Sequence, residues 1–202
     1  MKQLFLNKSI SFICKYKTYS EFEQKKLKYG LEGLYLTTTK MIILLILALL
    51  LNMFKEFILI IILFNIIRYT GFGFHAEKSY QCMLSSIFNF ILIPYLLFHC
   101  HLSDLFIYVT CGVCIIHYIL FAPADTVKRP LTNKKKRLVR KLLTVSTGII
   151  YTLAIILLDS EYCTVLFLSA LIIQAIIISP ITYWIFGQPY NNYKTLNTKL
   201  SI

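Results

Sequence analysis

Long apolar runs separated by short charged blocks dominate this chain. The runs occupy residues 41–54, 57–67, 83–99, 105–122, 142–158 and 162–186. Within each run the apolar positions are continuous, which fits helices crossing a bilayer and not the two-residue alternation of a membrane barrel. A helix satisfies its own backbone hydrogen bonds, so it can cross hydrocarbon where an open strand cannot. The expected fold class is all-α, a polytopic helical membrane protein with about six membrane-embedded segments. The first two, 41–54 and 57–67, are parted by Lys55-Glu56 and fall short of the roughly 20 residues of an ordinary span. They read either as one tilted helix or as a hairpin of two short segments. Ahead of them, residues 1–40 mix Ile10, Phe12, Ile13, Tyr16, Tyr19, Phe22, Leu27 and Tyr29 with lysines. That pattern predicts one or two amphipathic helices lying at the membrane interface.

Charge chooses between the two readings of residues 41–67. The 202-residue chain has 57% of its positions in the hydrophobic set and a formal charge of +12, a combination foreign to ordinary soluble domains. With the hairpin, residues 1–40, 68–82, 125–141 and the C-terminal tail share one side, and all 21 Lys and Arg except Lys55 fall there. A single helix would divide them. Lys and Arg in short loops set orientation, so the chain is expected in the cell membrane with both termini and the 68–82 loop cytoplasmic. Basicity thus serves topology, and no nucleic-acid partner is expected. No cleavable signal peptide is expected either, since the N-terminus lacks the small-residue cleavage pattern. Residues 1–202 read as one integral membrane domain, with a basic amphipathic region at 1–40, a candidate catalytic loop at 68–82 and a basic cytoplasmic loop at 125–141.

Chemistry concentrates between Arg68 and Cys82, in Arg-Tyr-Thr-Gly-Phe-Gly-Phe-His-Ala-Glu-Lys-Ser-Tyr-Gln-Cys. Gly71 and Gly73 among aromatics predict irregular backbone. On one straight helix His75 and Cys82 would lie about 10 Å apart along the axis, too far for a thiolate–imidazole contact of about 3 Å. A functional pair therefore requires His75 on a loop and Cys82 on the helix that follows. There the positive end of the helix dipole would favour a thiolate nucleophile. The remaining cysteines, Cys14, Cys100, Cys111, Cys114 and Cys163, read as packing residues. Cys111, Cys114 and His117 recur at helical spacing, and His99 and His101 belong to the opposite membrane face. No second Cys-x-x-Cys or HExxH accompanies them, so neither a metal nor another cofactor is expected. Asp125, beside Pro123, reads as a boundary residue. The basic 125–141 segment sets topology and offers a dock for an acidic peptide or anionic lipid.

Arg68, then Gly73-Phe74-His75-Ala76, then Cys82 before an apolar run resembles the accessory gene regulator B family, membrane cysteine endopeptidases of Gram-positive quorum-sensing systems. Ala122-Pro123-Ala124-Asp125-Thr126, followed by Lys128-Arg129-Pro130 and a basic cluster, is a second point of similarity, and the likeness covers essentially the whole chain. Phe72 departs from the pattern, since many members carry glycine directly before the position of Gly73. The resemblance implies removal of the C-terminal tail of a small autoinducer propeptide through an enzyme thioester, then cyclisation to a thiolactone or lactone. It implies Cys82 as nucleophile and His75 as base and later acid, with Arg68 and Gly73 supporting by anchoring or oxyanion stabilisation. Glu77 and Asp125 are possible orienters of the histidine. Lys128, Arg129, Lys134, Lys135, Lys136 and Arg137 would dock the propeptide's acidic tail, and the family suggests a homodimer. The competing class is a non-enzymatic membrane protein, a transporter accessory or interaction partner. The spans hold no interior Asp or Glu of the kind that marks ion-coupled pathways.

Overall fold

The computed structural model describes residues 2–16, 19–74, 76, 78–126 and 130–193. Helix makes up 83% of the described residues and no strand forms among them, so the fold is all-α. The elements are α1 (Lys2–Tyr16), α2 (Glu21–Leu50), α3 (Phe54–Gly71), α4 (Ser79–Ile87), a π-helical turn (Phe88–Leu92), α5 (Ile93–His99), α6 (Asp104–Phe121), α7 (Lys134–Leu158), α8 (Glu161–Ile178) and α9 (Pro180–Ile185). They divide into two compact units, residues 1–47 and 48–202.

In the first unit, the one or two helices expected of residues 1–40 are α1 and the first part of α2. Ser20 and Glu23 start α2 with a reciprocal cap. The Ser20 N–H donates to Glu23 Oε2 at 2.9 Å, and the Glu23 N–H donates to Ser20 Oγ at 3.4 Å. The Phe5 ring lies 5.3 Å from that of Tyr35, which lays α1 against α2.

The break expected at Lys55-Glu56 falls earlier, at residues 51–53. Asn52 takes φ 54° there, a left-handed conformation that asparagine tolerates. Lys55 and Glu56 belong to the first turn of α3, where the helix dipole favours the carboxylate. The first apolar run belongs to a longer helix, since its residues 41–50 close α2, a helix of 30 residues. Among the described residues, five helices are long and apolar enough to cross a membrane: α2, the continuous 79–99 helix, α6, α7 and α8. The sixth expected segment is α3, whose 18 residues carry charge only at the ends, on Lys55, Glu56 and Arg68.

In the second unit α8 is central, packed by α3, α5, α6 and α7. Its apolar residues are spread around the whole circumference, as a helix without a lipid-facing side requires. Its neighbours bury one face and leave Leu105, Ile116, Ile150 and Leu157 exposed for lipid. Small and polar groups bind the helices together. A Cβ on Gly148 would sit 2.9 Å from the Tyr118 ring, so glycine lets α6 approach α7. Tyr118 donates its hydroxyl to the Leu171 carbonyl at 2.6 Å, and Tyr151 to that of Leu63 at 2.8 Å. The π-helical turn lies where Pro94, without an N–H, interrupts the α-helical ladder. The run expected to span 162–186 stops at Ser179, because Pro180 opens α9 with a new cap.

Candidate functional site

The ends of α3, α6 and α8 and the starts of α4 and α7 meet at one end of the second unit. There α3 stops at Gly71 because Phe72 leaves helical backbone, at φ 52° and ψ −139°. The glycine-rich stretch was expected to be irregular, and Gly73 is, with φ 126°. Gly71, in contrast, is helical, and the second unusual conformation falls on Phe72. Tertiary bonds hold it. Gly73 N–H donates to the Ala124 carbonyl at 2.9 Å, Ala124 N–H to that of Gly71 at 3.1 Å, and Phe74 N–H to that of Ile177 at 3.0 Å. The two motifs named from sequence, around residues 73 and 124, thus form one parallel β-bridge between Phe72 and Ala124.

Arg68 reaches over this segment from the last turn of α3. Its Nη2 donates to the Phe74 carbonyl at 3.0 Å and its Nη1 to that of Phe72 at 3.5 Å. Gln174 of α8 donates from Nε2 to the same Phe72 carbonyl at 3.1 Å. A Cβ on Gly73 would lie 2.6 Å from Ile177 Cγ2, and one on Gly71 would overlap the Gln174 amide, so both glycines permit close packing against α8.

Cys82 is in the first turn of α4, which begins at Ser79 rather than beside the apolar run, and its N–H donates to the Lys78 carbonyl at 3.1 Å. The thiol is half-buried, in no disulfide, and within electrostatic range of Arg68. That puts it in the positive field of a helix start and a guanidinium. His75, Glu77, Lys128 and Arg129 lie outside the described residues.

Asp125 is far from a mere boundary. Its buried carboxylate accepts from the N–H groups of Asn192 at 3.0 Å, Tyr193 at 2.8 Å and Leu131 at 3.4 Å. Its carbonyl accepts the Tyr183 hydroxyl at 3.0 Å. Burial pushes the Tyr190 phenol up to about 12, with Asp125 adding to the effect, and the same two causes raise Tyr183. Both rings therefore stay neutral donors at physiological pH.

Residues 134–141 were read as loop but are the first two turns of α7, capped by Asn133 Oδ1 accepting from the Lys136 N–H at 3.2 Å. Lys134, Lys135 and Lys136 are exposed. Arg137 lies over the Tyr193 ring, and Arg140 donates to the Tyr69 carbonyl at 2.9 Å with its guanidinium 4.3 Å from the Phe72 ring. A cavity of about 410 Å³ runs along Lys134, Arg137, Lys141 and Tyr190. At the other end of the unit, His99, His101, Asp104, Asp159 and Glu161 line a second cavity of about 570 Å³. Cys111 and Cys114 are buried in the core. Among the described residues no three His, Cys, Asp or Glu side chains are grouped to hold a metal.

Sequence reasoning passed over Gln174 and the burial of Asp125, and took Arg140 only as one of the cations of the basic 125–141 segment. Gln174 was findable as the lone amide in an otherwise apolar run. Asp125 was not, because its donors come from residues far along the chain.

The family model described as Accessory gene regulator B matches residues 6–178. Several relatives carry the name "Putative AgrB-like protein". One, from Listeria monocytogenes serotype 4b (strain CLIP80459), is 30% identical over 171 residues, 84% of this chain and 83% of its own. Another, from Clostridium acetobutylicum, is 32% identical over 175 residues, 83% of this chain and 80% of its own. Accessory gene regulator protein B of Staphylococcus carnosus is 32% identical over 116 residues, 56% of this chain and 61% of its own. No solved structure matches. With this family match over most of its length and these relatives, the chain belongs to the accessory gene regulator B family.

Proposed function

We propose that this protein is a membrane cysteine endopeptidase that trims a small autoinducer propeptide for quorum sensing. The observation that carries this reading is Cys82 in the first turn of α4, within electrostatic range of the Arg68 that grips the backbone leading to His75. His75 takes the Cys82 proton, and Sγ attacks the scissile carbonyl. The peptide C–N bond then breaks, the leaving amine takes the proton from the imidazolium, and the new C-terminal acyl group stays on Cys82 as a thioester. An internal Cys or Ser of the peptide next attacks that thioester, loses its proton and regenerates the Cys82 thiolate, releasing a cyclic thiolactone or lactone. Peptide to thioester runs uphill, so removal of the cleaved tail or of the ring draws the reaction forward. Water must be kept from the acyl-enzyme, or the internal nucleophile held close enough to outcompete it.

The site end of the second unit faces the cytoplasm in this reading, in accord with the Lys and Arg on α7. The acidic tail of the propeptide docks on Lys134, Lys135, Lys136 and Arg137, with Lys128 and Arg129 contributing. The working unit is a homodimer in the cell membrane.

The test is direct. Cys82→Ser and His75→Ala should both abolish cleavage while preserving membrane insertion and propeptide binding. Cys14→Ser, Cys100→Ser and Cys163→Ser should keep it. Wild-type protein mixed with propeptide should yield a hydroxylamine-sensitive adduct on the fragment containing Cys82. Full activity in Cys82→Ser, or an adduct on another cysteine, overturns the mechanism and favours a non-enzymatic membrane protein.

A further inference from the structure

Gln174 is completely buried in the middle of α8, the most enclosed helix of the second unit. Its two amide atoms are treated differently. Nε2 donates to the Phe72 carbonyl at 3.1 Å, whereas Oε1 has no hydrogen-bond partner. A buried acceptor without a donor costs stability, which leucine or isoleucine at this position would not. The amide thus acts here through its donor half, and its neighbours leave room for it. A Cβ at Gly71 would overlap Nε2 where it now lies, and Thr144 Cγ2 closes the other side, 3.1 Å from where that Cβ would be. The carbonyl so held belongs to Phe72, at φ 52°, a conformation that persists only when its surroundings impose it.

Arg68 grips the same carbonyl from α3, at 3.5 Å, and that of Phe74 at 3.0 Å. Arg68 lies on the element from which the segment departs. Gln174 lies on a different one, and ties the segment to the helix that every neighbour packs against. We propose that Gln174 is a positioning residue of the site, its side-chain N–H fixing the backbone that runs from Phe72 into His75 and thereby setting the reactivity of Cys82. This rests on the reading of His75 and Cys82 as the reacting pair.

The test uses the full chain in nanodiscs with three variants. Gln174→Met keeps length and removes the donor. Gln174→Glu keeps shape and donates only when protonated. Gln174→Asn keeps the amide on a shorter stem. Hydrogen exchange at the Gly73 and Phe74 amides should quicken in Gln174→Met, without a fall in melting temperature. Cys82 alkylation should change relative to that of exposed Cys100, which serves as the internal reference. Propeptide cleavage should lose about tenfold to a hundredfold in kcat, with KM little changed. Gln174→Glu should approach wild-type kcat at low pH and lose it as pH rises, because only the carboxylic acid donates a hydrogen bond. Gln174→Asn should fall between wild type and Gln174→Met.

Wild-type exchange and wild-type kcat in Gln174→Met overturn the proposal, as do losses that track melting temperature across all three variants. Should Gln174→Met fail to fold, the pH profile of kcat in Gln174→Glu decides: a profile parallel to wild type overturns it. Should Cys82→Ser remain active, the catalytic reading falls by itself, while accelerated exchange at Gly73 and Phe74 still marks Gln174 as the residue holding this segment.

Discussion

Phe72 holds a backbone conformation that glycine adopts without strain. Its ring gives something back, lying 4.3 Å from the Arg140 guanidinium. These two contributions can be separated. Phe72→Ala loses the ring and keeps the strain, while Phe72→Gly loses the ring and relieves the strain. In chemical or thermal unfolding Phe72→Ala should therefore be the less stable of the two, by about 1–2 kcal/mol. Equal stability would mean that φ 52° costs nothing here. Gly73 makes the opposite case. Gly73→Ala meets both the left-handed φ of 126° and Ile177 Cγ2 at 2.6 Å, so it should cost about 1–3 kcal/mol. Adding Ile177→Ala should restore only part of the loss, because the backbone strain and the Ile177 carbonyl remain. The run of glycines and aromatics announced irregular backbone in the sequence. Which residue would carry it was not legible, since the conformation is held largely by Gln174 and Ala124, which are distant in the chain, together with nearby Arg68.

Among the elements, α7 departs most from what its charges suggested. Lys, Arg and Leu are good helix formers, and Asn133 is a good cap, so the cluster at 134–141 is helical despite its polarity. Four cations in the first turn, with no acidic residue there, oppose the helix dipole. Replacing Lys134, Lys135 and Lys136 together by Gln should therefore leave thermal stability unchanged or raise it, by up to about 1 kcal/mol per residue. Propeptide processing should nevertheless fall, and should approach what added salt does to wild type, since exposed charges are screened over about 10 Å at 0.1 M. Unchanged processing in the inserted triple variant would leave these lysines as topology signals alone. Helix positions were read well from continuous apolarity. Their ends were not, because Asn52, Ser179 and Asn133 act through local backbone geometry and capping rather than hydropathy.

For the whole molecule, the distribution of Lys and Arg makes a claim about sides that labelling can check. In a background depleted of other cysteines, native Cys100 and a Ser160→Cys substitution should react with an impermeant maleimide added to intact cells. Thr132→Cys should not. Ser160 makes no side-chain cap and Thr132 is exposed, so neither change disturbs a helix start. Labelling of Thr132→Cys in sealed cells would reverse the proposed orientation. The all-helical fold and the place of Cys82 at a helix start were legible in the sequence, since both follow from where apolarity begins and stops. The centrality of α8 was not, because burial on every side and exposure to lipid on every side demand the same apolar residues.

The buried carboxylate of Asp125 also has a consequence for the order in which the protein is made. Two of the N–H groups that satisfy it, those of Asn192 and Tyr193, are synthesised well after α6, α7 and α8. Until residue 193 has left the ribosome, the Asp125 carboxylate has to wait for partners not yet made. The membrane helices and the Phe72–Gly73 segment have their own partners before then, so the Asp125 corner completes its hydrogen bonds after the bundle that carries it.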